Sequence, residues 1–293
     1  MTTTHPRASS PEPNAAPPAA PPAPGPPAAA SGPAKPDALA KPGATAEAGD
    51  HATLLRVTRG RGGRLRVDTR AGLLVPRLVR VEGDTAHVVL LAAGALLLAG
   101  DEVRLRIEVG AGARVRLSDV AATVAYDGRG GAASWRAELA VDGELSWHSE
   151  PFVVAQGAVV RRDLSVDVAA GARLWLRDTL VFGRHGETGG RLDSRTRVRH
   201  DGREVLAEDL RLPPAGRELP GVLRGVRVVD QIVELGPYGP AGDPVGDPAV
   251  APAGEDQPPA GVLRTDLPVP AGYGSLTRWL GTQTHASPLP PRA

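Results

Sequence analysis

The 293-residue chain contains no cysteine, which removes disulfides, thiolate nucleophiles and cysteine-ligated metals together. A reducing compartment suits that composition. Aromatic residues fill 3% of the positions and none precedes Tyr126, so the core has to be aliphatic and sugar-stacking platforms are scarce. Lysine occurs only as Lys35 and Lys41, and the formal net charge is +1, so no global field draws the chain toward nucleic acid or a membrane. The longest apolar run, residues 88–100, covers 13 positions, too few for a bilayer-spanning helix. The opening MTTTHPRASSPEP lacks the apolar stretch of a secretory leader. A soluble, cytoplasmic protein is expected.

Catalytic signatures are missing as well. There is no glycine-rich P-loop and no nucleophile elbow, and GAGARV at Gly110 lacks the third glycine of a dinucleotide fingerprint. The seven histidines are scattered. His148 with Glu150, and His185 with Glu187, each offer two metal ligands, and two ligands do not make a site. The neighbouring acids Asp101-Glu102 and Glu208-Asp209 would face opposite sides of a strand and could not share a proton. These absences point away from an enzyme and toward binding or assembly.

What the chain does have is alternation. Residues 163–190 read DLSVDVAAGARLWLRDTLVFGRHGETGG, with Leu164, Val166 and Val168 on one face, then a small-residue turn, then Leu174 and Leu176. Residues 104–118 repeat the pattern, as do residues 137–150 around Asp142-Gly143 and residues 197–212 around Asp201-Gly202. Period-2 alternation on both sides of a glycine-containing turn predicts β-hairpins. The expected fold class is all-β: stacked antiparallel hairpins in an elongated sandwich- or solenoid-like scaffold with few short helices.

Composition divides the chain. Residues 1–50 hold 13 of the 30 prolines and 15 alanines, and are expected to form a disordered tail. Residues 51–293 form the β domain, with a loose Pro/Gly-rich insertion at 236–261 and a short helix at 275–282, capped by Ser275 and anchored by Trp279. Residues 54–80 set eight arginines against one acid, Asp68. They alternate with Leu65, Val67, Leu73 and Val75 as the solvent face of strands does; the alternative is an arginine-rich β protein that binds nucleic acid. The glycine-dense loop at 182–190 sits where function tends to collect on a rigid β scaffold.

Three segments resemble the urease accessory protein UreD family, called UreH in some bacteria. They are LLAAGALLLAGDEVRLRIEVGAGARVRLSDVAATVAYDG, ELSWHSEPFVVAQGAVVRRDLSVDVAAGARLWLRDTLVFGRHGETG and RLDSRTRVRHDGREVLAEDLRL. The pieces that correspond are Gly100-Asp101, residues 122–126, residues 147–151, and Gly183-Arg184 with Gly186-Glu187. The chain looks like a divergent member: LAAGALLLAGD has lost glycines, Val124 replaces a usual lysine, and His148-Ser149-Glu150 replaces a Gln-Glu segment. The resemblance implies a non-enzymatic scaffold that, with UreF and UreG, delivers nickel to apo-urease. It implies no tightly bound cofactor, only transient nickel, with Asp101, His185 and Glu187 as weak exchangeable contacts. The two carboxylates have an alternative role, local capping or pairing with Arg184. Tyr126, Trp147 and Arg184 are expected to meet partners.

Overall fold

The computed structural model describes residues 1–2, 52–219, 223–237, 261–270 and 272–290. The expectation for residues 1–50 therefore lies outside the described residues, Met1 and Thr2 excepted, and so does most of the 236–261 insertion. Among the described residues, the unit Ala48–Ala293 holds 17 strands. In chain order they are β1 (Thr53–Arg59), β2 (Leu65–Arg70), β3 (Leu74–Glu82), β4 (Thr85–Ala92), β5 (Glu102–Val109), β6 (Arg114–Asp119), β7 (Thr123–Ala125), β8 (Ala133–Val141) and β9 (Glu144–His148). There follow β10 (Phe152–Val154), β11 (Val159–Val168), β12 (Arg173–Phe182), β13 (Arg191–His200), β14 (Arg203–Leu212), β15 (Val228–Gly236), β16 (Val262–Asp266) and β17 (Tyr273–Gly281). Among the described residues no helix is long and apolar enough to cross a membrane.

Two sheets face each other. One has the order β14-β13-β11-β8-β5-β1-β2, the other β16-β17-β15-β12-β9-β6-β4-β3, with β10 beside β12 and β7 beside β10. The all-β, solenoid-like sandwich read from the sequence is the one found. Its pairing differs from the expectation. The strands flanking three of the four predicted hairpin turns go to different sheets: β5 joins one and β6 the other, and likewise β8 and β9, β11 and β12. Each of these three turns is thus an arch, and hydrogen bonds run in parallel to the equivalent strand of the next rung. Ile107, Leu139, Val166 and Val198 line up as neighbours across four strands, all of them buried.

Alternation cannot separate the two arrangements, because both bury one face of each strand. The turn backbone does. At Asp201-Gly202 both residues have positive φ, 50° and 71°, the type I′ geometry that closes the real hairpin β13–β14. Asp142-Gly143 has no such φ and forms an arch. Gly143 there packs on the preceding corner so closely that a Cβ would lie 2.3 Å from the Ala113 carbonyl oxygen.

The helix expected at 275–282 is absent. Those residues belong to β17, which pairs antiparallel with β15 over its whole length, Leu276 beside Val233 and Trp279 beside Asp230. The one described helical element is a 3-10 turn, Thr284–Ala286. β15 on one side and β16 on the other pair the backbone groups of β17, and that outweighs a helical reading of the side-chain spacing.

Candidate functional site

The inward faces of the strands are aliphatic except at a few positions. On β11 the inward phase runs Val160, Arg162, Leu164, and on β12 it runs Leu176, Asp178, Leu180. On β15 it runs Val229, Gln231, Val233. A charge placed in that phase has to find a partner inside, since desolvation otherwise costs several kcal/mol or more. Arg162 donates from Nη2 to Asp178 Oδ1 at 2.8 Å, and both residues are 4% exposed. The guanidinium lies over Trp135 at 4.7 Å and Phe152 at 5.5 Å. Its Nε, also buried, has no hydrogen-bond partner among the described residues. Gln231 donates to the other Asp178 oxygen at 3.3 Å and accepts from Arg278 at 3.0 and 2.6 Å. Arg278 in turn pairs with Glu208 at 2.7 Å. A continuous polar file thus crosses the aliphatic interior.

At its inner end lies a cavity of ≈240 Å³, lined by Asp119, Trp147, Glu150, Phe152, Arg162 and Asp178 among others. Asp119 ends β6 and accepts from the Trp147 indole at 3.2 Å and from the Glu150 backbone N–H at 3.2 Å. Burial pushes its carboxyl up to about 7. The two hydrogen bonds oppose that rise, and the Glu150 and Asp178 charges add to it. A carboxyl poised near neutrality beside two further carboxylates can take up or release a proton, or a cation in its place.

The residues singled out in the sequence, Trp147 excepted, fall on a second feature, a stack of loops at one corner of successive rungs. Tyr126 N–H donates to the Leu97 carbonyl at 3.3 Å, Ala155 N–H to Ala125 at 3.0 Å, and Gly183 N–H to Val154 at 2.9 Å. Gly190 completes the stack at a point where a Cβ would sit 2.2 Å from the Ala158 oxygen. Glu187 is a clamp there. One oxygen accepts from the backbone N–H groups of Arg184 (2.9 Å) and Gln156 (3.0 Å), and the other from the Arg184 guanidinium at 2.8 Å. The guanidinium first, and then the two N–H groups, hold its carboxyl well below the usual range, at about 2. Asp101 makes its contact within its own loop, accepting from Leu98 N–H at 3.0 Å. Both carboxylates therefore have the local capping geometry weighed from the sequence.

Arg184 and Glu187 are brought together, and Tyr126 is near enough to Arg184 to act on its charge. His185 is exposed on the same loop. Trp147 is 4% exposed with its indole on Asp119, so it belongs to the cavity and not to an outer contact surface. Among the described residues no three His, Asp or Glu side chains group to hold a metal ion. Sequence reasoning missed Asp119, Arg162, Asp178 and Gln231. The signal was there for two of them: Arg162 and Asp178 stand in the apolar phase of alternating strands, whereas β15, around Gln231, is apolar on both faces.

Comparison with known proteins bears on this architecture. A family model described as UreD urease accessory protein matches residues 50–287. The urease accessory protein UreD 1 of Streptomyces griseus subsp. griseus is 43% identical over 242 residues, covering 81% of this chain and 87% of that protein. The UreD of Streptomyces coelicolor is 41% identical over 185 residues, covering 61% of this chain and 73% of its own length. UreD 2 of Saccharopolyspora erythraea is 32% identical over 222 residues, covering 74% of this chain and 73% of that protein. A match that spans nearly the whole β unit, polar file and corner loops included, decides the family: the chain belongs to the UreD urease accessory proteins.

Proposed function

We propose that this protein serves urease maturation as a non-enzymatic, cytoplasmic scaffold which, with UreF and UreG, passes nickel to apo-urease. Family membership supports the maturation role. The observation that carries the nickel reading is the cavity, where Asp119, Glu150 and Asp178 face a common space inside an aliphatic sandwich. Nickel is cargo here. Carboxylate oxygens met one or two at a time bind a divalent cation weakly enough to let it move on, whereas a closed set of ligands would hold it. Asp119, half-ionised near neutral pH, exchanges a proton for the cation and back. Asp101, His185 and Glu187 supply further contacts on the corner loops, and exposed Tyr126 and Arg184 meet a partner there. Trp147 positions the Asp119 carboxylate.

The test is complementation of a strain that lacks only this protein, reading urease activity and nickel per purified urease. Asp119→Asn with Glu150→Gln should lower both several-fold while the scaffold still co-purifies with UreF and UreG. Full activation by that variant would sink the interior route. A scaffold that binds neither protein and leaves urease activation undiminished when deleted would sink the maturation reading itself.

A further inference from the structure

β3 is the outermost strand of one sheet and β2 of the other, and the two lie side by side. Along β3, Leu78 stands opposite Val88 and Val81 opposite Ala86. Those partners are buried, at 1% and 0% exposure, whereas Leu78 and Val81 are each 46% exposed. Val79, the extra residue of a bulge between Leu78 and Arg80, is 61% exposed. The apolar phase of the core therefore runs out onto the surface at this edge.

Residues 54–80, which lead into and include most of β3, carry eight arginines against the single acid Asp68, and of these Arg56 is bound to Glu108. Asp68 is already paired with Arg66 at 3.0 Å. Arg80 pairs with Glu82 at 3.1 Å, and Arg77 has no ion pair among the described residues. An apolar lip with surplus guanidinium groups selects an occupant that is apolar and acidic. A second copy of this chain would set one arginine field against another, and Pro76 with the bulge breaks the regular edge that self-pairing needs. Single-stranded nucleic acid would find no Trp, Tyr or Phe on β1 to β4 to stack on, because none precedes Tyr126.

We propose that the β3 edge is a docking surface for an extended, acidic and apolar segment of a partner protein. Its apolar side chains cover Leu78, Val79 and Val81, and its carboxylates meet Arg77 and Arg80. Leu74, where β3 begins, lines the cavity, but Arg77, Leu78, Val79, Arg80 and Val81 do not, so variants at these five positions test the edge apart from the nickel route.

Fluorescence anisotropy on the full chain tests this with three labelled octapeptides, alternating Glu-Val, Lys-Val or Ser-Val, and with an oligothymidylate. The Glu-Val peptide should bind about tenfold tighter than the Lys-Val peptide and weaken with salt. Val79→Asp should cost about tenfold, and Arg77→Glu with Arg80→Glu should reverse the charge preference. Circular dichroism checks that these exposed substitutions leave the fold intact. Equal binding of the three peptides, no binding of the Glu-Val peptide, or indifference to both variants overturns the proposal. Tighter binding of the oligothymidylate would assign the edge to nucleic acid, and a dimer dispersed by Val79→Asp would assign it to a second copy.

Discussion

Replacing Asp178 by alanine strands a buried cation. Arg162 would keep its place over Trp135 and Phe152, and those rings return about 1–2 kcal/mol at most. Its carboxylate partner at 2.8 Å would be gone, in a site where both residues are 4% exposed. Breaking one side of such a pair costs about 3–5 kcal/mol. Gln231 also loses its acceptor, adding on the order of 1 kcal/mol. With a urea slope of roughly 3 kcal/mol per molar, the unfolding midpoint should fall by more than about 1 M, read by circular dichroism. Removing both charges, Arg162→Met with Asp178→Leu, leaves an aliphatic interior and should restore stability to within about 1 kcal/mol of the parent. That double variant should fold and still fail to support urease activation, which separates the file's function from its place in the fold. An Asp178→Ala protein as stable as the parent, or a double variant no better than the single one, would refute the reasoning.

Two further outcomes follow from carboxyl groups shifted in opposite directions. The Asp119 carboxyl, lifted from 3.8 to about 7, keeps a proton in the folded state that the unfolded chain has already released. Its contribution to stability is full below pH about 4 and is lost as pH rises to about 7, by up to about 4 kcal/mol. Asp119→Asn should remove that slope from urea midpoints compared at pH 5 and pH 8, and an unchanged slope would contradict the assignment. Glu187, held at about 2, has the reverse sign: its clamp is complete above the ordinary carboxyl range and releases as pH falls toward 2. Glu187→Ala should speed amide exchange at Arg184 and Gln156 by about tenfold at neutral pH, with the rest of the β unit unmoved.

Strand positions and their buried faces were legible in the sequence, because alternation is a local property. Pairing was not. Asp142-Gly143 and Asp201-Gly202 are the same dipeptide between alternating strands, and only the second takes the two positive φ values of a hairpin. Residues 275–282 misled for a different reason. Leu276, Trp279 and Leu280 have helical spacing, yet in β17 they serve two faces of one strand. Trp279 packs outward with Val228, Ile232 and Leu289, and the C-terminal segment covers a face that would otherwise meet water. Ser287 hydroxyl to Asp230 at 2.5 Å and Arg177 to the Pro290 carbonyl at 3.2 Å hold that segment down. The interior file was half legible: charges in an apolar phase can be seen in one strand, but Asp178 and Gln231 are 53 residues apart and meet only through the sheet order.

The file also lies along the direction in which rungs stack. From Asp119 on β6 the route passes β9, reaches Asp178 on β12 and Gln231 on β15, and ends at Arg278 on β17. Neighbouring strands are spaced at about 4.8 Å, so the span is roughly 19 Å. The sandwich is therefore a ruler. One rung inserted or deleted changes the distance between the two ends in a single step of about 4.8 Å, while every other rung keeps its own contacts. The number of repeats in the chain thereby fixes how far Asp119 stands from Arg278.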